Sequence, residues 1–327
     1  MSIETIETTQ HQIEVQQVRL KDATMAMIQS GQIPFHQIAH LPLDLLDPTK
    51  LPGVPEQNLL TPSPAYKPFR YPFGYEMFVL QNQLHWLWEE IPLGEDVKDH
   101  HTKLAEHEQY VLSQIFRLFT QSDVLVNESY HGNYAATFKP NEISMGISAI
   151  SNIECIHQAS YSYLLDTIGM PETEYSAFLS YIEMAQKYNF VKSYKMDSLM
   201  GTAVTMAVFG AFTEGLQLFA SFAILLNFPR NNKMKGMGQI VSFSVRDEAL
   251  HTQFVAKLFK TFLHEFGSLL NIDELHELII DACRQIVDNE DRFVDLVFAM
   301  GPLEDMTADD VKMYIREIAN LRLEQFG

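Results

Sequence analysis

Apolar residues recur at intervals of three and four along most of the chain from about residue 73 onward, which is the spacing of amphipathic helices. Short breaks that contain proline, glycine or asparagine separate these stretches. The pattern predicts long helices near residues 73–90, 103–130, 141–168, 172–189, 196–227, 237–265, 272–297 and 307–325. The sequence has no strand-rich block and no internal repeat, so we expect an all-α helical bundle.

Residues 1–70 have a different character, because prolines are concentrated between Pro42 and Pro72. Proline interrupts regular helices. We therefore expect an extended N-terminal arm over residues 1–70 and a helical domain over residues 71–327.

The composition is that of a globular protein, with 46% hydrophobic and 20% charged residues among 327. The net charge is −19, from 23 Lys plus Arg against 42 Asp plus Glu, which is the wrong sign for a nucleic-acid partner. The N-terminus does not resemble a signal peptide. Cys155 and Cys283 lie in apolar surroundings, and we interpret them as buried thiols in a reducing, cytoplasmic compartment.

Two of the apolar segments each hold one central glutamate. The stretch between Asp197 and Arg230 contains Glu214 as its only charged residue. A membrane span of this length is conceivable, but a central carboxylate is costly in lipid and several hydroxyl side chains interrupt the run, so a buried core helix is the better interpretation. The stretch between Glu142 and Asp166 has Glu154 as its only acid, followed three residues later by His157.

Buried carboxylates are normally paired or bound to a metal, because an isolated charge in an apolar interior is destabilising. A neutral, hydrogen-bonded glutamate could explain one such residue but explains a set poorly. The spacing Glu-x-x-His occurs twice, and residues three apart on a helix project from the same face. An acid in each of two further apolar helices completes a set typical of dinuclear iron or manganese sites. The candidates are Asp123, Glu154, His157, Glu214, Glu248 and His251.

Oxygen-rich ligand sets suit iron or manganese, whereas zinc is less apt because the sequence has no thiolate cluster. Six segments of the sequence match one known family in order from about residue 66 to the C-terminus. They are HWLWEEIPLGEDVKD (85–99), FTQSDVLVNESY (119–130), IECIHQASYSYLLDTIGMPE (153–172), EGLQLFASFA (214–223), SVRDEALH (244–251) and MTADDVKMYIREIANLRLEQFG (306–327). By these segments the sequence resembles the small, radical-generating subunit of class I ribonucleotide reductases, a ferritin-like family.

The resemblance implies how the six candidates would divide between two metal ions. Asp123, Glu154 and His157 would ligate one ion. Glu214, Glu248 and His251 would ligate the other, with Glu154 and Glu248 bridging the pair. The implied cofactor is two iron ions activated by O2, and two manganese ions are the alternative because both metals use the same ligand types.

The same resemblance implies that Tyr161 carries a stable radical. Its position four residues after His157 places it on the same helix face as that ligand. Trp86 and Asp247 would conduct electrons between the surface and the metals through His157. The sequence departs from the family pattern at three positions. Trp88 stands where many members of the family carry proline, and Leu218 and Ser244 occupy positions beside the radical pocket where the family often carries bulkier, apolar residues.

The implied function is to store an oxidising equivalent on Tyr161 and to pass it to a large subunit that reduces ribonucleotides. The resemblance also implies a homodimer. Family members usually continue past the final Gly327 into a tail that binds the large subunit, so we expect the 327-residue form to dock weakly, or not at all, on that partner.

Two other functions use the same scaffold. A ferritin-like di-metal oxidase acting on an apolar substrate would keep the metals, but related oxidases generally carry Glu in place of Asp123 and lack the Tyr161 arrangement. An iron-storage bundle would need neither Tyr161 nor the pair Trp86 and Asp247.

Overall fold

The computed structural model describes the backbone of residues 3–327 and the side chains of residues 12–119 and 121–327. Long helices make up most of it, and no β-strand occurs among the described residues. The long helices are α1 (Ile3–Gln29), α2 (Pro72–Gln83), α3 (Gly94–Thr102), α4 (Glu106–Ser129), α5 (Asn141–Ile168), α6 (Ile182–Lys192), α7 (Leu199–Arg230), α8 (Lys235–Phe266), α9 (Ile272–Val297) and α10 (Ala308–Phe326).

Short helical turns join these elements. They are α-helical at Phe35–Ile38, Ala135–Thr137 and Glu174–Ala177, and 3-10 helical at Leu43–Leu45, Trp88–Glu90, Phe178–Ser180 and Gly267–Leu269. Two segments are π-helical: Tyr130–Tyr134 continues α4, and Ala207–Gln217 forms the middle of α7. The expected all-α helical bundle is confirmed.

The expectation of an extended arm is wrong for the first described residues, because α1 covers Ile3–Gln29. This segment has neither proline nor glycine and is rich in Gln and Glu, which tolerate helical backbone well. The first proline of the chain is Pro34, after the end of α1, and the proline-rich segment that suggested extended chain begins only at Pro42. Cys283 is buried as expected, but Cys155 is exposed on α5, so the interpretation of both cysteines as buried thiols is also wrong.

Six of the eight predicted helices have different bounds in the structure. The helix predicted at 73–90 ends at Gln83, and Trp88–Glu90 forms a separate 3-10 turn. The helix predicted at 172–189 is interrupted, and α6 begins only at Ile182. The helix predicted at 103–130 begins at Glu106, because Lys103 and Leu104 still bond to α3.

The core helices α7 and α8 lie against each other at very close range. A Cβ atom on Gly210 of α7 would lie only 2.4 Å from Val255 Cγ1 of α8, so this crossing requires a residue without a side chain. Within the described residues α7 is the one helix apolar and long enough to cross a membrane, and 89% of its most apolar window is buried in the protein. This burial favours the core-helix interpretation over a membrane span.

Two acids of α3 fix the beginning of α8. Asp96 accepts hydrogen bonds from the backbone N–H groups of Gly236 and Met237 at 2.9 and 2.8 Å. Asp99 accepts one from the Met234 N–H at 3.1 Å. The first N–H groups of a helix have no partner within the helix, and carboxylates there also interact favourably with the helix dipole.

We therefore predict that Asp96→Ala lowers the free energy of unfolding by about 1–3 kcal/mol, because two buried N–H groups lose their acceptor. Chemical denaturation of the apoprotein measures this change. The exposed neighbour Glu95 is the control, and Glu95→Ala should leave the midpoint nearly unchanged. Equal stability of the two variants would contradict the role of Asp96.

Candidate metal centre

The six candidate ligands project into the interior from four helices. Each of them is at most 1% exposed. Asp123 lies on α4, Glu154 and His157 on α5, Glu214 in the π-helical part of α7, and Glu248 and His251 on α8.

Four of these side chains form a compact cluster. One ligand atom from each of Glu154, Glu214, Glu248 and His251 lies within 4.8 Å of the others. His251 Nδ1 is 3.0 Å from Glu154 Oε1, 3.2 Å from Glu248 Oε2 and 3.7 Å from Glu214 Oε1. Three carboxylates and one imidazole, from three helices, therefore converge on one point.

His157 adjoins this cluster from the opposite side. Its Nδ1 atom lies 3.3 Å from Glu248 Oε1 and 3.5 Å from Glu154 Oε2. Glu154 and Glu248 thus each contact both histidines, whose ring centroids are 6.4 Å apart. These two carboxylates occupy the middle of the site.

Asp123 lies outside the four-residue cluster but interacts with it electrostatically. Burial raises its pKa well above the usual value, and the charge of Glu154 adds to this effect. Its Oδ2 atom is buried and has no hydrogen-bond partner.

The charges of the cluster compensate one another only in part. Burial would raise the pKa of Glu154, but the charges and hydrogen bonds of His157 and His251 lower it to about 2. Burial and the charge of Glu248 raise the pKa of Glu214 well above its usual value.

Both histidines titrate far from their ordinary range. Burial opposes protonation of His157 and His251, but Glu154 and Glu248, respectively, outweigh it, so both pKa values are raised well above normal. His251 Nε2 and Glu214 Oε1 are buried without hydrogen-bond partners. A surplus of buried carboxylates beside unpartnered polar atoms fits the binding of cations.

Tyr130 is a member of the site that the sequence analysis missed. Its hydroxyl donates a hydrogen bond of 3.0 Å to Glu214 Oε2, and its ring centroid lies 6.3 Å from that of His251. It follows Asp123 by seven residues, two helical turns along the same face, and that spacing could have revealed it. Both partners lie in π-helical turns, which are frequent at functional sites.

Tyr161 is fully buried next to the cluster. Its hydroxyl donates a hydrogen bond of 3.0 Å to Ser244 Oγ, and Phe119 packs edge-on against its ring at 4.7 Å. Burial and the charge of Asp123 raise the pKa of the phenol, so it stays protonated. The structure therefore places Tyr161 in a largely apolar pocket within electrostatic reach of the candidate ligands.

Trp86 and Asp247 form a chain that ends at His157. Trp86 Nε1 donates to Asp247 Oδ2 at 2.8 Å, and the same oxygen lies 3.3 Å from His157 Nε2. Burial would raise the pKa of Asp247, but its hydrogen bond and charge interaction with His157 lower it to about 2.

Two further side chains hold the other oxygen of Asp247, and the sequence analysis missed both. Gln81 Nε2 donates to Asp247 Oδ1 at 3.2 Å. The Arg246 guanidinium donates to the same oxygen at 3.1 and 3.2 Å and also to the carbonyl oxygen of Leu84 at 2.7 Å.

Comparison with protein families matches residues 64–327 to the family described as ribonucleotide reductase, small chain. The chain belongs to this family. It is 39% identical over 290 residues to the probable ribonucleoside-diphosphate reductase small subunit 048L of Invertebrate iridescent virus 3, a match that covers 84% of this chain and 77% of the viral protein. The resemblance noted from the sequence is confirmed.

Solved structures of related proteins share the fold. The ribonucleotide reductase R2 subunit of Clostridium botulinum superposes with a TM-score of 0.76 at 20% identity, covering 83% of this chain and 88% of that one. The dimanganese(II)-NrdF of Streptococcus sanguinis superposes with a TM-score of 0.69 at 20% identity, covering 82% and 92%. By its family match and its viral relative, the chain is a small subunit of ribonucleotide reductase, an oxidoreductase, and it has a Glu/His cluster in its core.

We predict that the purified protein binds about two transition-metal ions per chain and that Glu214→Ala lowers this number sharply. The reason is that Glu214 supplies an unpartnered oxygen to the cluster. Metal analysis after reconstitution measures the content, and Glu128→Ala, an exposed acid on α4, is the control. Identical metal uptake by the two variants would show that Glu214 is not a ligand.

Proposed function

We propose that this small subunit binds two metal ions and uses them to generate a radical on Tyr161 for a large subunit that reduces ribonucleotides. The observation that carries this proposal is the convergence of Glu154, Glu214, Glu248 and His251 within 4.8 Å in a buried core. Membership of the small-chain family supports it.

The metal ligands proposed are the six side chains predicted from the sequence. Asp123, Glu154 and His157 would hold one ion, and Glu214, Glu248 and His251 would hold the other. The central position of Glu154 and Glu248, each between both histidines, supports a bridging role for these two. The bound metals would supply, with O2, the one-electron oxidant for Tyr161. Iron is proposed, with manganese as the alternative.

Binding of cations would change the protonation of the site. The histidine nitrogens that face the carboxylates must be free of protons to bind a metal. The cations would then take over the charge compensation that protonated His157 and His251 otherwise provide. The pocket of Tyr161 would meanwhile exclude water from the oxidised side chain, because Phe119 and other buried apolar residues enclose it.

Trp86, Asp247 and His157 would form the route for electrons between the metals and the outside of the subunit. The proposed route is continuous in hydrogen bonds, with the Trp86 indole on Asp247 and Asp247 in contact with His157. Gln81 and Arg246 would hold the carboxylate in place, since both donate to its second oxygen.

The proposed partners follow from the family. A small subunit implies a large subunit that binds the ribonucleotide, and we also propose a homodimer in the cytoplasm. A reconstitution assay tests the whole proposal: the metal-loaded protein, with a large subunit in excess to offset weak docking, should convert a ribonucleoside diphosphate to its deoxy form. A protein that oxidises an apolar compound but never supports this reaction would instead be a di-metal oxidase.

We predict that Tyr161→Phe retains the fold and the metal content but abolishes the stable organic radical, because only the phenolic O–H group is removed and the ring packing is preserved. Electron paramagnetic resonance (EPR) after reconstitution with iron and O2 measures the radical. Tyr163→Phe, on the same helix but partly exposed, is the control and should keep the signal. A tyrosyl signal that survives in Tyr161→Phe would place the radical on another residue.

We also predict that Trp86→Phe reduces ribonucleotide reduction with the large subunit to background. Phenylalanine keeps an aromatic ring but removes the indole N–H that bonds to Asp247. Trp88→Phe is the matched control, because Trp88 is only partly buried and lies two residues away. Full turnover by Trp86→Phe would exclude the proposed route.

A further inference from the structure

Ser244 of α8 contacts the hydroxyl of Tyr161 inside the core. Its Oγ atom accepts the 3.0 Å hydrogen bond from the phenol and donates one of 3.2 Å to the carbonyl oxygen of Ile240, one turn earlier in the helix. Ser244 and Tyr161 are 1% and 0% exposed. A hydroxyl group in this otherwise apolar pocket therefore faces the atom that the proposed function oxidises.

We propose that Ser244 is a positioning residue for the radical. Ser244 holds the Tyr161 O–H group before oxidation and donates a hydrogen bond to the phenoxyl oxygen afterwards. This inference rests on the proposed function, because it requires that Tyr161 is the residue oxidised.

The oxidation step explains why the hydrogen bond must reverse. Breaking the O–H bond of Tyr161 releases one electron and one proton. In the proposed function the electron would be taken up by the oxidant that the bound metals and O2 supply, and the proton would be accepted by a carboxylate of the site, among which Asp123 has the strongest charge interaction with the phenol. The remaining phenoxyl oxygen can accept a hydrogen bond but can no longer donate one.

Reversal requires only a rotation of the Ser244 hydroxyl away from Ile240. The Ile240 carbonyl lies within α8 and keeps the backbone hydrogen bond of the helix, so it stays satisfied when the side chain leaves. A buried phenoxyl oxygen without a donor would be the less favourable outcome, because unsatisfied buried acceptors are destabilising. The balance of hydrogen bonds therefore favours donation to the oxidised Tyr161.

A serine in a helix can also simply bond to its own backbone, and the chain contains such a case beside the same tyrosine. Ser160 is fully buried, and its Oγ donates to the Ile156 carbonyl oxygen at 2.6 Å. It adjoins Tyr161 in sequence, but no hydrogen bond joins the two hydroxyl groups among the described contacts. Ser160 is therefore a matched control for a buried serine in the same region.

The radical of the full chain, formed with iron and O2, is measured by high-field EPR and by deuteron electron-nuclear double resonance after exchange into D2O. We expect an exchangeable deuteron coupled to the Tyr161 radical in the wild type and in Ser244→Thr, which keeps a hydroxyl group. In Ser244→Ala the coupling should be lost and the largest g value should rise, because a hydrogen bond to a phenoxyl oxygen lowers it. Ser160→Ala should retain the wild-type spectrum.

The outcomes separate this inference from the proposed function. A Tyr161 radical that lacks the deuteron coupling in the wild type, or keeps it in Ser244→Ala, overturns the role of Ser244 alone. Absence of any radical on Tyr161 overturns both proposals.

A second measurement on the apoprotein needs no metal. The tyrosine C–O stretching band of Tyr161, identified by difference from Tyr161→Phe in ultraviolet resonance Raman spectra, should shift in Ser244→Ala and stay in place in Ser160→Ala. An unshifted band in Ser244→Ala would overturn the hydrogen bond on which the proposal depends.

Discussion

Burial of four carboxylates in one apolar core is the constraint on which the rest of the structure depends. Asp123, Glu154, Glu214 and Glu248 are all at most 1% exposed, and among the ligand candidates only His157 and His251 can carry positive charge. Charges removed from water without compensation destabilise a fold by several kcal/mol. Burial and neighbouring carboxylates raise the pKa values of Asp123 and Glu214, and the histidines offset this only in part. Two divalent cations would match four carboxylates.

The surrounding helices hold these charges in place with few degrees of freedom. Glycine at position 210 lets α7 approach α8 closely enough to bring Glu214 to the cluster, and Tyr130 holds one oxygen of that carboxylate. On the other side, Gln81 and Arg246 hold Asp247, which in turn contacts His157. Each ligand that is tied by a neighbour loses little further freedom on binding a metal, which is how outer contacts strengthen a metal site.

Sequence reasoning succeeded where the signal is local. Helices α5 and α9 have the predicted bounds, because long periodic apolar runs end at clear breaks. The candidate ligands were found because an isolated acid in an apolar helix is conspicuous. Tyr130 was missed because its partner Glu214 is 84 residues away in the sequence, and the sequence pattern gives no sign of the two π-helical turns that hold them. The N-terminal helix escaped because the proline-rich segment after it dominated the interpretation of the first 70 residues.

One stripe of α8 connects all the parts of the site. Ser244, Asp247, Glu248 and His251 are spaced at i, i+3, i+4 and i+7, so they share one face of the helix. This face contacts the Tyr161 phenol, the Trp86 indole and the carboxylate cluster. A small rotation of α8 would therefore displace the radical contact, the proposed electron route and the metal ligands together. The bonds from Asp96 to the helix start, about 12 Å before Ser244 at 1.5 Å per residue, oppose that rotation. The α3–α8 junction is thus as much a part of the site's geometry as the side chains that line it.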